Sequence, residues 1–284
     1  MGILIQGKEI AAKLTVQLAQ RVENYILEGR KRPSLHVILV GDDPASQVYV
    51  GHKEKACARV GITSYTHRLA AETSQQELEN LVEKLRLDTD VDGILIQLPL
   101  PQGLDSSSAI DKIGPDKDVD GLTIYNQGAL ALGSPYRVPC TPKGILCLLR
   151  EACVSLEGKH AVVVGRSKLV GLPVARLLSL ANATVTLVHS KTKCPQEICC
   201  QADVLVVAAG QPEMVRCDWI KEGAVVIDVG IHRKADGSLT GDVDPQAAQN
   251  VAHMYTPVPG GVGPMTIFSL LENTVEAAYG VSFG

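Results

Sequence analysis

Aromatic side chains are scarce: one Trp, two Phe and seven Tyr make up 4% of 284 residues. A core of useful size must then come from Val, Ile, Leu and Ala, the composition of parallel strands covered by helices on both faces. Basic blocks are missing too. The formal net charge is −4 and the charges are scattered, which excludes the electrostatic footprint of a nucleic-acid binder. No stretch approaches about 18 consecutive apolar residues, so no membrane span is expected. Lys8 and Glu9 come too early for a signal peptide, and Gln6 stands where myristoylation needs Ser or Thr. The eight cysteines contain no C-x-x-C pair, and no histidine follows Cys194, Cys199 and Cys200 at a zinc-like spacing. They read as reduced, buried thiols of a soluble cytoplasmic protein without a metal, with a site at 194–200 as the alternative.

What is present has a rhythm. The length suggests two domains. Ile10, Leu14, Leu18, Val22 and Ile26 step by four, which predicts a helix over 7–28 with one buried face. Leu35–Val40 reads as a buried strand. Asp42-Asp43-Pro44 then opens a helix to about Val60, with an acidic cap and a proline in the first turn. A weak strand over 64–69 follows. Ser74 and Glu77 form a capping box for a helix to about Leu87. A third strand runs over 93–98. Residues 102–140 look irregular, apart from a short helix at 106–112. A helix over 142–153, capped by Thr141, links the halves. Strands are expected at 160–165, 183–189, 203–209 and 224–229, helices at 171–181 and 195–201, a hairpin at 232–242 and a last helix from Pro264 to Tyr279. Alternation of this kind predicts parallel sheets built from βαβ units.

The second half turns on residues 161–173. Ala161–Val164 end at Gly165, a polar turn follows, and Gly171 opens an apolar helix. A strand, a glycine turn and a helix N-terminus form a corner that favours phosphate, through free N–H groups and the helix dipole. The spacing is G-x5-G rather than the regular dinucleotide fingerprint, so an ordinary βα turn stays open. The following strand ends in His189-Ser190-Lys191-Thr192, with no carboxylate to grip a ribose 2′-hydroxyl. Ser190, Lys191 and Arg166 suit a 2′-phosphate better, which favours NADP over NAD. Glycine turns at 210 and 230 suggest backbone approaching a ligand along the same edge, with ordinary βα turns as the alternative.

In the first half, Gln97 is a polar residue near the end of an apolar strand. It is either satisfied internally or aimed into a site. Tyr49 and Lys53 lie one helical turn apart and share a face. That face is either a site or an exposed boundary, and Lys55 points elsewhere as a surface charge. Asp116, Asp118 and Asp120 suggest calcium, but lack EF-hand spacing. A solvated acidic loop is the plain alternative, and a single carboxylate such as Asp120 could hold a planar pair of donors.

Taken together, Tyr49-Val-Gly-His-Lys53, Asp92-Gly-Ile-Leu-Ile-Gln-Leu-Pro-Leu-Pro101, Lys117-Asp-Val-Asp-Gly121, Pro139-Cys-Thr-Pro-Lys-Gly144, Gly165–Gly171 and Pro257–Thr266 carry a resemblance. The chain resembles the bifunctional methylenetetrahydrofolate dehydrogenase/methenyltetrahydrofolate cyclohydrolase family over essentially its whole length. The resemblance implies an α/β fold of two domains with a cleft between them. These are a folate-binding catalytic domain over 1–140, joined by the C-terminal helix 265–284, and a Rossmann-type NADP domain over 141–264. It implies oxidation of 5,10-methylenetetrahydrofolate and hydrolysis of the methenyl product to 10-formyltetrahydrofolate, within one-carbon metabolism and purine biosynthesis. Lys53 would be catalytic, Tyr49 would stack on the folate, Gln97 would bond near the lysine, and Asp120 would hold the amino-pyrimidine edge of the pterin. Ile96, Gln97, Leu98 and the loop Pro259, Gly260, Gly261, Val262, Gly263 would contact folate. Gly165, Arg166, Ser167, Ser190 and Ile231 would contact NADP. A homodimer is implied, and the ligase domain that some eukaryotic members append is not expected. The alternative is an NADP-dependent dehydrogenase of another small molecule, of shikimate or amino-acid type.

Overall fold

The computed structural model describes residues 2–282. In chain order the elements are β1 (Ile3–Leu4), α1 (Gly7–Leu27), β2 (Ser34–Val40), α2 (Pro44–Val60), β3 (Thr63–Leu69), α3 (Gln75–Leu87), β4 (Gly93–Ile96), α4 (Ser106–Asp111), α5 (Ile124–Leu132) and α6 (Cys140–Glu151). They continue as β5 (His160–Val164), α7 (Gly171–Leu180), β6 (Thr184–Val188), α8 (Pro195–Cys199), β7 (Val204–Val207), β8 (Val225–Asp228), β9 (His232–Arg233), β10 (Leu239–Thr240), α9 (Pro245–Val251), β11 (Met254–Tyr255) and α10 (Val262–Tyr279).

Two compact units result, one from residues 13–140 and 267–282, the other from residues 2–12 and 141–266. In the first, β3, β2 and β4 form a parallel sheet in that order, with Val37 opposite Thr66 on one side and Leu95 on the other. Ile38, Leu78, Val82, Ile94 and Ile96 pack into its core. Each such side chain contributes roughly 1.5–3 kcal/mol by leaving water. In the second unit, the described residues form a parallel sheet in the order β1-β11-β8-β7-β5-β6. Its inner strands β5, β7 and β8 are almost wholly buried runs of Val, Leu, Ile and Ala. A few aliphatic types therefore do the work that scarce aromatics cannot.

The local start signals act as chemistry predicts. The Asp43 carboxylate, rather than that of Asp42, caps α2 by accepting from the Ser46 N–H at 2.8 Å. Ser74 and Glu77 complete the capping box of α3. Differences arise where tertiary pairing or a short motif decides. β1, expected with the first half, pairs with β11 at the edge of the second sheet. The irregular segment contains α5, started by Thr123 and stopped by a left-handed Gly133. Its stop and start signals were present, but a nine-residue helix is too short for a periodic pattern to stand out among glycines. α9 was hidden for the same reason, behind the Asp244 cap and Pro245. α6 begins at Cys140, one residue ahead of the expected Thr141 cap. α10 ends at Tyr279; of the helix expected over 265–284, residues 283 and 284 lie outside the described residues. Among the described residues no helix is long and apolar enough to cross a membrane.

Candidate active site and nucleotide corner

Lys53 is buried, only 8% exposed, on the inner face of α2. Its Nζ donates to Gln97 Oε1 at 2.9 Å and lies 5.6 Å from the centroid of the Tyr49 ring. The Gln97 amide is oriented from its other end, where Nε2 donates to the Leu98 carbonyl at 2.8 Å. Gln97 itself sits one residue beyond β4, with its N–H on Ile38 O at 2.9 Å. It is thus anchored to the sheet while its side chain leaves the core. Tyr49, Lys53 and Gln97 form a cluster in which the Gln97 amide is satisfied by protein partners at both ends, and Lys55 is exposed.

Burial lowers the Lys53 pKa, against upward pulls from Asp120, Cys140 and Cys57. Desolvation disfavours the ammonium, so the neutral amine becomes more accessible. The charge-free Gln97 is only part of the setting, because the Asp120 carboxylate also acts on the amine. Asp120 in turn is pushed up by burial, with the Lys53 charge opposing and the Asp118 charge adding. Burial, then the charge of Asp120, raises the Tyr49 phenol. Amine, carboxylate and phenol each have a pKa displaced towards the neutral form, a pattern that marks functional sites.

The three acids of the 116–120 segment have separate fates. Asp116 accepts from the Tyr136 hydroxyl at 2.9 Å. Asp118 is buried and accepts from the Thr123 N–H and the Asn126 amide, both at 2.8 Å, which pins the start of α5. Asp120 alone joins the Lys53 cluster. Among the described residues, no three His, Cys, Asp or Glu side chains are placed to hold a metal ion. Gly121 makes the bend possible: its φ is +69°, and a Cβ there would come within 2.7 Å of Pro139 N. Two residues escaped the sequence reading. Asn273 donates to the Val119 and Val138 carbonyls, both at 2.9 Å. The Cys140 thiol donates to Val119 O at 3.3 Å. Both brace the backbone that carries Asp120, and nothing in local spacing announces either.

The second unit builds the corner. Gly165 has φ +114°, and a Cβ there would fall 2.1 Å from the Ala208 carbonyl. A Cβ on Gly171 would fall 2.1 Å from Gly165 O, so turn and helix start are pressed together. Ser167 Oγ accepts from the N–H groups of Val170 and Gly171 at 3.2 and 3.4 Å, and α7 has no other side-chain cap. Val164 of β5 pairs with Val188 of β6, so Arg166 and Ser190 leave neighbouring strand ends. Both are exposed, as is Lys191. Glycines where a Cβ would clash, a helix start and exposed cationic and hydroxyl donors fit a dinucleotide carrying a 2′-phosphate. Ile231, 51% exposed, follows β8 on the same edge. The Pro259–Gly263 loop belongs to this unit rather than the Lys53 unit; Gly260 has φ +105° and accepts from the Lys8 N–H at 2.8 Å.

Comparison with known proteins decides the family. Residues 5–120 match the tetrahydrofolate dehydrogenase/cyclohydrolase catalytic domain, and residues 139–281 match the NAD(P)-binding domain of the same family. The chain belongs to that family. The bifunctional protein FolD of Pelobacter propionicus is 53% identical over 279 residues, covering 98% of each chain. The crystal structure of the bifunctional FolD from Campylobacter jejuni superposes with a TM-score of 0.96 at 44% identity, covering 99% of each chain. That of Trypanosoma brucei, complexed with NADP and an inhibitor, gives 0.92 at 41% identity over 98% of this chain and 97% of that one. Both activities expected from the motifs, with NADP as cofactor, are those of this family. A shikimate dehydrogenase from Thermus thermophilus shares only the fold, at 15% identity and a TM-score of 0.57. The alternative reading is therefore not favoured.

Proposed function

We propose that Lys53 and its neighbours perform the folate chemistry, and that the corner after β5 holds the oxidant. The enzyme oxidises 5,10-methylenetetrahydrofolate with NADP⁺ and hydrolyses the methenyl product to 10-formyltetrahydrofolate. NADP⁺, when bound, supplies the acceptor for the hydride leaving the one-carbon bridge. Gly165, Arg166, Ser167, Ser190 and Ile231 bind it, with Arg166 and Ser190 on the 2′-phosphate. The observation that carries the assignment is the buried Lys53 amine, oriented by an uncharged amide at 2.9 Å.

In the hydrolysis, water adds through oxygen to the methenyl carbon and gives up a proton to Lys53 Nζ. The C–N5 bond then breaks as the new hydroxyl becomes the formyl carbonyl and releases its own proton to water, and the lysine ammonium returns the first proton to N5. A base must be partly neutral at working pH, which the burial of Lys53 promotes. A cationic substrate beside it acts in the same direction. Gln97 aims the amine without adding charge. Asp120 takes the amino-pyrimidine edge of the pterin, and Tyr49 stacks on the ring. The backbone of Ile96 to Leu98 completes the folate contacts of this unit.

The unit of residues 13–140 and 267–282 takes the folate, and the unit of residues 2–12 and 141–266 takes NADP. Eight free thiols fit the reducing cytoplasm. A homodimer forms through the nucleotide unit, where β6 is an edge strand and Leu172 and Leu180 of α7 are exposed. The product is a formyl donor for purine biosynthesis. The test is a spectrophotometric assay of purified enzyme with methylenetetrahydrofolate and either nucleotide. NADPH formation, faster than NADH formation, is expected; no reduced nucleotide would overturn the assignment.

A further inference from the structure

Two carboxylates of the second unit are buried, and neither belongs to the corner described above. Asp228 ends β8 and is 5% exposed; Asp242 lies just past β10 and is 0% exposed. Buried carboxylates persist only where donors surround them. Asp228 Oδ1 accepts from the N–H groups of Gly230 and Asp242, each at 2.9 Å, and Oδ2 from that of Val243 at 3.0 Å. Asp242 Oδ2 accepts from the N–H groups of Ala209 and Gly210 at 2.7 and 2.9 Å. Its Oδ1 lies 2.7 Å from His232 Nε2. The fit has no slack. A Cβ on Gly230 would stand 2.4 Å from Asp242 Oδ1, and one on Gly241 would stand 1.9 Å from Asp228 Oδ2.

These contacts join three pieces of chain that secondary structure leaves unpaired. β7 ends at Val207 and β8 at Asp228, so the N–H groups of Ala209, Gly210 and Gly230 have no strand partner. The strand ends concerned adjoin the β5 corner, since Val164 pairs with Val207 and Val207 with Asp228. Gly210, at φ +69°, faces open space at its α-carbon. The loops therefore present backbone along the sheet edge that carries Arg166, while their other sides are tied to carboxylates. Holding two such groups side by side is costly: burial first, with the charge of Asp242 adding, pushes Asp228 up to about 6. Side chains kept for packing alone would be apolar.

We propose that Asp242, seated on Asp228, is a positioning residue for the dehydrogenase: it sets the backbone at Ala209–Gly210 and Gly230–Ile231 against NADP and governs affinity for the dinucleotide without touching it. The inference rests on the reading that NADP binds at this sheet edge.

The two activities of the intact enzyme test it. Asp242→Ala orphans the N–H groups of Ala209 and Gly210 and is expected to raise the KM for NADP by about thirtyfold. Asp242→Asn keeps one oxygen for those donors and loses the charge, for a rise of about three- to tenfold. Cyclohydrolase turnover, measured without nucleotide, should stay within about twofold in both, because its reacting groups lie in the other unit. A merely structural role would lower both activities together at unchanged KM, and that result would overturn the proposal. So would a KM within about twofold of the parent value in both variants. If Asp242→Ala does not accumulate, the Asn variant decides by the same criteria. A parent enzyme that reduces no NADP with methylenetetrahydrofolate would instead overturn the functional reading, and this inference with it.

Discussion

The Lys53 amine donates to the Gln97 amide oxygen at 2.9 Å, so the buried lysine is oriented by a dipole and not by a direct ion pair. A carboxylate at position 97 would also have held the amine, but at the expense of its basicity. The more distant pull of Asp120 opposes burial without reversing it.

Replacement of the amine should separate the two activities. Lys53→Met is expected to reduce cyclohydrolase turnover by about 10²–10⁴-fold, the range of general acid–base contributions. NADP affinity, measured by fluorescence titration, should be unchanged. Near-normal hydrolysis of methenyl-folate by this variant would remove Lys53 from the mechanism.

Gln97→Glu tests the uncharged partner. A carboxylate at that distance favours the ammonium and raises the lysine pKa. A rise of one unit is worth about 1.4 kcal/mol, so turnover at neutral pH should fall about tenfold and recover at higher pH. In the parent enzyme, the alkaline-going limb of the pH–rate profile should lie below the ordinary lysine value, since burial lowers this group. An unshifted limb in the variant would argue against control by position 97.

Asp120→Ala should act on substrate binding. Loss of charge-assisted bonds to the pterin edge, about 1.5–3 kcal/mol, predicts a KM for both folate substrates raised about 10- to 100-fold, with the KM for NADP unaffected. Steady-state kinetics of the two reactions read this directly. Selective loss of only one activity would contradict a shared folate site.

Arg166→Ala addresses the dinucleotide. Arg166 is exposed, so solvent weakens its contribution, and about a tenfold rise in KM for NADP is expected. NAD, lacking the 2′-phosphate, should be affected much less. Equal losses with both nucleotides would exclude Arg166 from the phosphate site.

Local chemistry made much of the molecule legible from its residues. Asp43 with Pro44 and Ser74 with Glu77 start helices by bonds that reach only three positions along the chain. Gly171 is read just as locally, because the contact that excludes a Cβ there is with Gly165, whereas Gly165 is held by Ala208 of a remote strand end. The preference for NADP came from the residues around the turn, with no carboxylate after the following strand and Ser190, Lys191 and Arg166 in its place. Tyr49 and Lys53 share a face by helical geometry alone, whatever that face meets.

Other features depend on partners remote in sequence. Asp118 and Asp120 are alike in spacing, yet one holds the Thr123 N–H at the start of a helix and the charge of the other acts on a buried amine. Only the path of the chain around Gly121 separates them. Asn273 braces Val119 from 154 positions away, and Asp242 holds Ala209 from 33. The pairing of β1 with β11 likewise joins the two ends of the sequence. Most helices and strands could be read from local residues, because caps, turns and periodicity act between near neighbours; the short α5 and α9 and the remotely paired β1 and β11 could not. Which polar groups lose water, and which partners they then find, depends on the tertiary structure, and that desolvation displaces Lys53 and Asp120 towards their neutral forms.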